Sequence, residues 1–328
     1  MKIKHILLIT LLLTGATACA VAPEEDDDAA YDRVMKAWLR VHYPGAQASS
    51  GGAYVLEMNQ GSGPSVTDSA YVRAHFTKQA LDLTIEDTNV EEVAGQLGTW
   101  TVSTWFGGNT WRVDQSYIPE GLEKIIKGMR GGATARIALP KSASSHDYTA
   151  YHAFSSLSEA DNYIYDIAID TVITDIYAYQ ERALSRWFRE HYASASTLEE
   201  HLYFKKLEEH ATDTIAEGNN VNVRYIGRLL NGQVFDTNIE DTAKFYRIWN
   251  DGKTYEALSI AYYKQDEDQF STSNSVVDGF GKAVLAMNYG EIAVAAFDST
   301  LGYGESGSGD AIPEYSPLVF WLYIEPKE

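Results

Sequence analysis

Polar and apolar residues alternate through Val221, Val223 and Tyr225, the two-residue period of a strand with one buried face. Asn231-Gly232 follows, the residue pair that most readily takes positive φ, and predicts a turn. Val234 and Phe235 bring apolar bulk back beside Tyr225, and Asp236 comes directly after them. Further on the period changes. After Val276-Val277-Asp278-Gly279, the residues Phe280, Ala283, Val284 and Met287 fall at i, i+3, i+4 and i+7, which predicts a short helix stopped by Tyr289-Gly290. Gly302-Tyr303-Gly304 reads as a glycine-rich loop before Ile312-Pro313, and Leu318 to Ile324 as a final, well-buried strand.

The pattern occurs twice. Trp38-Leu39-Arg40-Val41-His42-Tyr43 corresponds to Trp187-Phe188-Arg189-Glu190-His191-Tyr192, and Phe76 through Asn89 corresponds to Tyr225 through Asn238. Both matches lie 149 residues on (38 to 187, 76 to 225), with Asp87-Thr88-Asn89 against Asp236-Thr237-Asn238. Leu122, Ile125, Ile126 and Met129 match the later helix 158 residues on (122 to 280), so the second copy is longer between strand and helix. Tyr165-Asp166 falls where Phe320-Trp321 does. This is a duplication, and it places the two domains at 31–178 and 179–328. Each copy opens with an amphipathic stretch, Tyr31, Val34, Met35, Trp38, Leu39 and His42 in the first, and Ala183, Leu184, Trp187, Phe188 and His191 in the second. These predict packing helices, with both histidines at the edges of the apolar faces.

In this order and spacing, the pieces of the second copy resemble an FKBP-type peptidyl-prolyl cis-trans isomerase domain, from about Leu202 to Glu328. The resemblance implies an α+β fold of two FKBP-like domains, each a curved antiparallel β-sheet wrapped around a short α-helix, with an extra amphipathic helix before each. By motif position it implies catalysis by Tyr225, Asp236 and Tyr303. Phe235, Val276, Val277, Phe280, Ile312 and Phe320 would line the substrate pocket. Tyr303 would donate its hydroxyl to the bound peptide carbonyl, and Asp236 would sit beside the twisted amide. Such a reaction calls for no cofactor and no metal. Two departures stand out: Phe280 occupies the place of the family's usual tryptophan floor, and Ile239 to Ser275 replaces a compact flap with a stretch suited to holding polypeptide. In the first copy Glu86 takes the place of Phe235, where an unpaired carboxylate would be costly to bury. Nothing between Pro140 and Asn162 resembles the Gly-Tyr-Gly loop, so a fold without activity is expected there.

Charge and the N-terminus then set the surroundings. The formal net charge is −20, which excludes nucleic acid and anionic lipid surfaces as partners, since phosphate binding needs clustered lysine or arginine. Residues 1–18 combine Lys2 and Lys4, a short apolar run and small residues before Cys19, the pattern of a signal peptide. Ala16-Thr17-Ala18-Cys19 resembles a bacterial lipobox, predicting lipidation of Cys19 or else cleavage without acylation. With a single cysteine there is no intrachain disulfide. Residues 19–30 form a tether, and the acidic run Glu24 to Asp28 reads as a solvated spacer or as a surface-export signal. His146, His152, His201 and His210 lack metal-ligand spacing, and Gly302 to Gly307 fits a dinucleotide pattern without the helix that pattern needs. The expected protein is an outer-membrane lipoprotein, periplasmic or cell-surface, held by its lipid anchor and isomerising proline-containing polypeptide clients. The alternative is a non-catalytic, chaperone-like or surface module that uses this fold to bind polypeptide or glycan.

Overall fold

A computed structural model describes residues 27–114, 118–144, 161–192, 196–209, 214–263 and 275–327. The expected signal peptide, Cys19, the acidic residues before Asp27, and His146, His152 and His210 lie outside the described residues. The architecture is α+β, with two antiparallel sheets each crossed by a short helix.

The first unit opens with α1 (Asp27–His42) and contains β1 (Tyr54–Asn59), β2 (Tyr71–Gln79), β3 (Ile85–Thr88), α2 (Glu91–Leu97), β4 (Asn109–Arg112), α3 (Glu120–Ile126), β5 (Thr134–Leu139) and β6 (Tyr163–Ile173). Its strand order is β1-β5-β6-β2-β3, with β4 also beside β2. The second unit opens with α4 (Ile176–His191), so the junction drawn at 178/179 falls in the first turn of that helix. It continues with β7 (Ser196–Glu199), β8 (Leu202–Glu208), β9 (Asn220–Leu229), β10 (Val234–Thr237), α5 (Glu240–Phe245), β11 (Leu258–Ala261), α6 (Asp278–Leu285), β12 (Ile292–Phe297) and β13 (Leu318–Ile324). The order here is β10-β9-β13-β12-β8-β7, with β11 beside β9.

Strand register carries the duplication into three dimensions. Thr77 of β2 faces Asp166 of β6, and Ile226 of β9 faces Trp321 of β13. Tyr165-Asp166 is therefore the spatial counterpart of Phe320-Trp321. The helix inside each sheet buries the stripe its periodicity predicts, Leu122, Ile125 and Ile126 in α3 and Phe280, Ala283 and Val284 in α6. Helix α6 approaches so closely that a Cβ on Gly279 would lie 2.4 Å from the Phe297 ring, which requires glycine there. The leading helices cover the opposite faces. Leu184, Trp187 and Phe188 pack on Val294, Ala296 and Val319, while Met35 and Leu39 pack on Ala138 and Ile164. His42 stacks on Trp38 with ring centroids 4.6 Å apart, and His191 on Trp187 at 4.2 Å. Both histidines are exposed at the edges of those faces.

The Asp-Thr-Asn motif makes the same hydrogen bonds in each unit. Asn238 Oδ1 accepts from Tyr225 N at 2.9 Å and its Nδ2 donates to Val223 O at 2.8 Å. Asn89 Oδ1 likewise accepts from Phe76 N at 2.7 Å, and its Nδ2 donates to Ala74 O at 3.0 Å. The threonine hydroxyl donates to the carbonyl of the same strand residue, Thr237 to Tyr225 at 2.6 Å and Thr88 to Phe76 at 2.9 Å. Side chains thus take over backbone pairing where β10 and β3 end, and both asparagines are buried. Asn238→Ala should cost the second unit about 2–5 kcal/mol, because a buried N–H and a buried carbonyl lose their partners together. Urea unfolding followed by tryptophan fluorescence checks this, and a midpoint equal to the parent's would show that the clasp contributes nothing.

Candidate active site

Tyr225 lies in β9, and β10 returns beside it through the predicted Asn231-Gly232 turn, where Gly232 adopts φ 91° and Asn231 Oδ1 accepts from Gln233 N at 3.0 Å. The return sets Asp236 within reach, and Tyr225 donates its hydroxyl to Asp236 Oδ2 at 2.7 Å. The other oxygen, Oδ1, accepts from Thr237 N at 2.8 Å and is ion-paired with the ammonium of Lys253. Burial, and then the adjacent Asp236 charge, push the Tyr225 hydroxyl far above the usual tyrosine range, so it stays a donor.

The apolar residues expected at the pocket converge beside this network. Phe320 is the hub. Its ring centroid lies 5.3 Å from Phe280 and 5.6 Å from Phe235, both edge-on, and 5.8 Å from Phe297 in a stacked arrangement. Tyr225 meets Phe280 edge-on at 5.7 Å. Phe280 and Ile312 are buried in this core, and Val276 and Val277 are partly buried against it. The close packing depends on Gly227, where a Cβ would come within 2.6 Å of the Phe235 ring and 2.9 Å of Phe320. Tyr303 stands on the glycine-rich loop and remains 38% exposed. Burial first, and the Asp236 charge second, raise its hydroxyl above the usual range, which places it in the electrostatic reach of the Tyr225–Asp236 pair. The structure therefore brings the three polar residues and the six apolar residues of the expected site into one neighbourhood.

Lys253 is the residue that sequence reasoning missed. It lies between α5 and β11, within the stretch from Ile239 to Ser275 whose role the motif left unassigned. No pattern in the sequence pointed to it. The same stretch exposes Phe245, at 78%, and Trp249. Arg228 of β9 donates to Tyr246 Oη at 2.7 Å and lies over the Trp321 ring, tying the end of α5 to the sheet.

The first unit departs at the corresponding places. Phe76 stands for Tyr225, so Asp87 has no tyrosine hydroxyl from that position, although its Oδ1 accepts from Thr88 N at 2.8 Å as Asp236 does from Thr237 N. Glu86 is not left unpaired. Its Oε2 lies 3.0 Å from the ammonium of Lys78, which is only 3% exposed and sits 4.0 Å over the Tyr163 ring. Lys78 occupies the repeat position of Gly227 (78 to 227). An ion pair therefore replaces the Gly227–Phe235 contact. Of the four histidines weighed as ligands, His201 is described, and its Nδ1 lies 2.8 Å from Asp298 Oδ2. Among the described residues there is no group of three or more histidine, cysteine or acidic side chains able to hold a metal.

Comparison with known proteins agrees with the second unit. Residues 211–324 match the FKBP-type peptidyl-prolyl cis-trans isomerase family. FK506-binding protein 2 of Dictyostelium discoideum is 29% identical over 104 residues, covering 31% of this chain and 61% of that protein. A probable FKBP-type 25 kDa peptidyl-prolyl cis-trans isomerase of Pseudomonas aeruginosa is 30% identical over 106 residues, covering 32% and 35%. The chain spans less than two thirds of the length of these curated relatives. Among solved structures, FkpA from Escherichia coli aligns with a TM-score of 0.33 and 19% identity over 46% of this chain and 60% of that one. The three FKBP domains of wheat FKBP73 align with a TM-score of 0.30 and 16% identity over 84% and 95%. Within the second unit, the segment 211–324 is thus similar to the FKBP-type peptidyl-prolyl cis-trans isomerase family.

Proposed function

We propose that this protein is a peptidyl-prolyl cis-trans isomerase and folding factor of the cell envelope, with its active site in the second unit. The observation that carries this reading is the joining of the Tyr225–Asp236–Lys253 network to the Phe235, Phe280 and Phe320 rings inside the matched segment. The barrier to be lowered is amide resonance, about 18–20 kcal/mol. A planar amide is more charge-separated than a twisted one, so a wall of aromatic rings that excludes water favours the twisted form. Tyr303 donates its hydroxyl to the peptide carbonyl. Asp236, held by Tyr225, Lys253 and the Thr237 amide, lies beside the twisted amide, whose carbonyl carbon has lost the nitrogen's donation and is more electrophilic. About 4 kcal/mol of preferential binding to the twisted form gives roughly a thousandfold. The substrates are proline-containing segments of polypeptide clients.

The exposed Phe245 and Trp249 beside the site favour a second reading, a chaperone-like or surface module that binds polypeptide or glycan without catalysis. Turnover separates the two. Tyr303→Phe should lower kcat/KM for a prolyl peptide about two- to tenfold, the worth of one hydrogen bond to a partly desolvated carbonyl. Asp236→Ala should cost at least as much, and Lys253→Met about two- to tenfold by freeing the carboxylate. All three are checked by a protease-coupled or NMR exchange assay with parallel thermal melts. Parent-like turnover by well-folded variants would leave the binding module as the better reading.

The envelope location rests on residues 1–30. Mass spectrometry of the mature N-terminus from the native host should find a lipid on Cys19, and an unacylated cysteine there would make the protein a secreted one without an anchor.

A further inference from the structure

Phe76 and Asp87 of the first unit hold the repeat positions of Tyr225 and Asp236. They open onto a cleft of about 480 Å³ whose facing wall is the second unit's loop, including Asp310, Ile312 and Glu314. The first unit grips that loop at several points. Trp105 N donates to Asp310 O at 2.7 Å, and Asn109 Nδ2 donates to Glu314 Oε2 at 3.2 Å. Asn109 Oδ1 in turn accepts from Nδ2 of the clasp residue Asn89 at 2.7 Å. Tyr315 meets the Tyr71 ring edge-on at 5.0 Å. Across the same junction Gln233 Nε2 donates to Thr104 O at 3.2 Å. Both walls are therefore fixed by hydrogen bonds before any ligand arrives.

Two residues join the cleft to the isomerase site. Ile312 lines the cleft and is buried in the core that holds Phe280 and Phe320. Trp105 lines the cleft and packs against that core from the first unit. A volume of this size falls in the range of small-ligand sites, enough for a few residues of extended chain. The lining offers aromatic surface from the half-buried Trp105 and Phe106, the carboxylates of Asp87 and Asp310, and the buried Glu314 behind them, with no lysine or arginine among the lining residues. The polar pair of the second unit's site is not repeated here, because Phe76 has no hydroxyl to give Asp87.

We propose that this degenerate site is a second polypeptide-binding site, which takes a basic segment of the client whose prolyl bond lies in the second unit's pocket. Lysine or arginine side chains lay their stems along Trp105 and Phe106 and direct their charges to the carboxylates. The link to a prolyl substrate rests on the isomerase reading, whereas binding to the cleft does not.

The test uses the full chain and two labelled, proline-free peptides, Gly-Lys-Phe-Lys-Gly and Gly-Glu-Phe-Glu-Gly, followed by fluorescence anisotropy. The lysine peptide should bind about tenfold or more tightly than the glutamate peptide, and more weakly as salt is raised. Asp87→Asn with Asp310→Asn should weaken it about fivefold while leaving turnover of an uncharged prolyl peptide unchanged. Asp310→Asn alone, at an exposed position, should weaken it about twofold and guards against misfolding of the double variant. Equal binding of the two peptides, or lysine-peptide binding that both variants leave at the parent value, would overturn the proposal. If the parent turns over no prolyl peptide yet binds the lysine peptide in this carboxylate-dependent way, the isomerase reading falls and the second site stands.

Discussion

The rest of the second unit depends on the clasp formed by Thr237 and Asn238. At the end of β10 these two side chains replace backbone partners on β9, bonding Tyr225 N, Tyr225 O and Val223 O. A buried, fully paired amide side chain tolerates little displacement, since any shift strands polar groups away from water. The clasp therefore fixes how β10 meets β9 to within a hydrogen bond. Asp236 is the residue immediately before it. Its carboxylate reaches the Tyr225 hydroxyl because the backbone of that same tyrosine is held by Asn238. The network is fixed at both ends, through the main chain by Asn238 and through the side chain by Asp236.

The same clasp also shows what a duplicated fold keeps where its side chains differ. In the first unit Asn89 and Thr88 repeat every one of these bonds, yet the residue they position is Phe76. The scaffold interaction concerns the backbone of that strand position, so it is indifferent to whether the side chain is Phe or Tyr. The hydroxyl can therefore be lost without disturbing the sheet. A third bond of the Asn89 side chain, to Asn109, then carries the clasp outward to Glu314 of the other unit.

Much of this was legible in the sequence because it is written in local pattern. The turn at Asn231-Gly232, the α6 stripe and the repeat spacing of Asp-Thr-Asn all follow from period and turn chemistry. The Tyr225–Asp236 meeting follows from the hairpin, and the aromatic convergence on Phe320 from the family motif. Lys253 was not legible. It reaches Asp236 through an irregular path between α5 and β11, and a charged residue in a polar stretch carries no positional signal. The pairing of Glu86 was hidden for a different reason. Its partner, Lys78, looks like an ordinary strand lysine until the β2–β3 register brings the two together. The grip of the first unit on Asp310, Glu314 and Tyr315 joins segments roughly two hundred residues apart, beyond any periodicity.

Lys78 and Glu86, at the repeat positions of Gly227 and Phe235, stand as a pair in contact. Restoring a phenylalanine at 86 alone would place its ring against the Lys78 side chain, in space that the second unit clears by having glycine at 227. The cost of breaking the pair falls on Lys78, which is buried, whereas Glu86 is exposed. With Lys78 also over the Tyr163 ring, the charged wall is stabilised in place rather than merely tolerated. A wall of that kind carries a strong local field and cannot offer the dry, aromatic surface that favours a twisted amide. The first unit thus carries a charged pair at the two repeat positions where the second has glycine and phenylalanine.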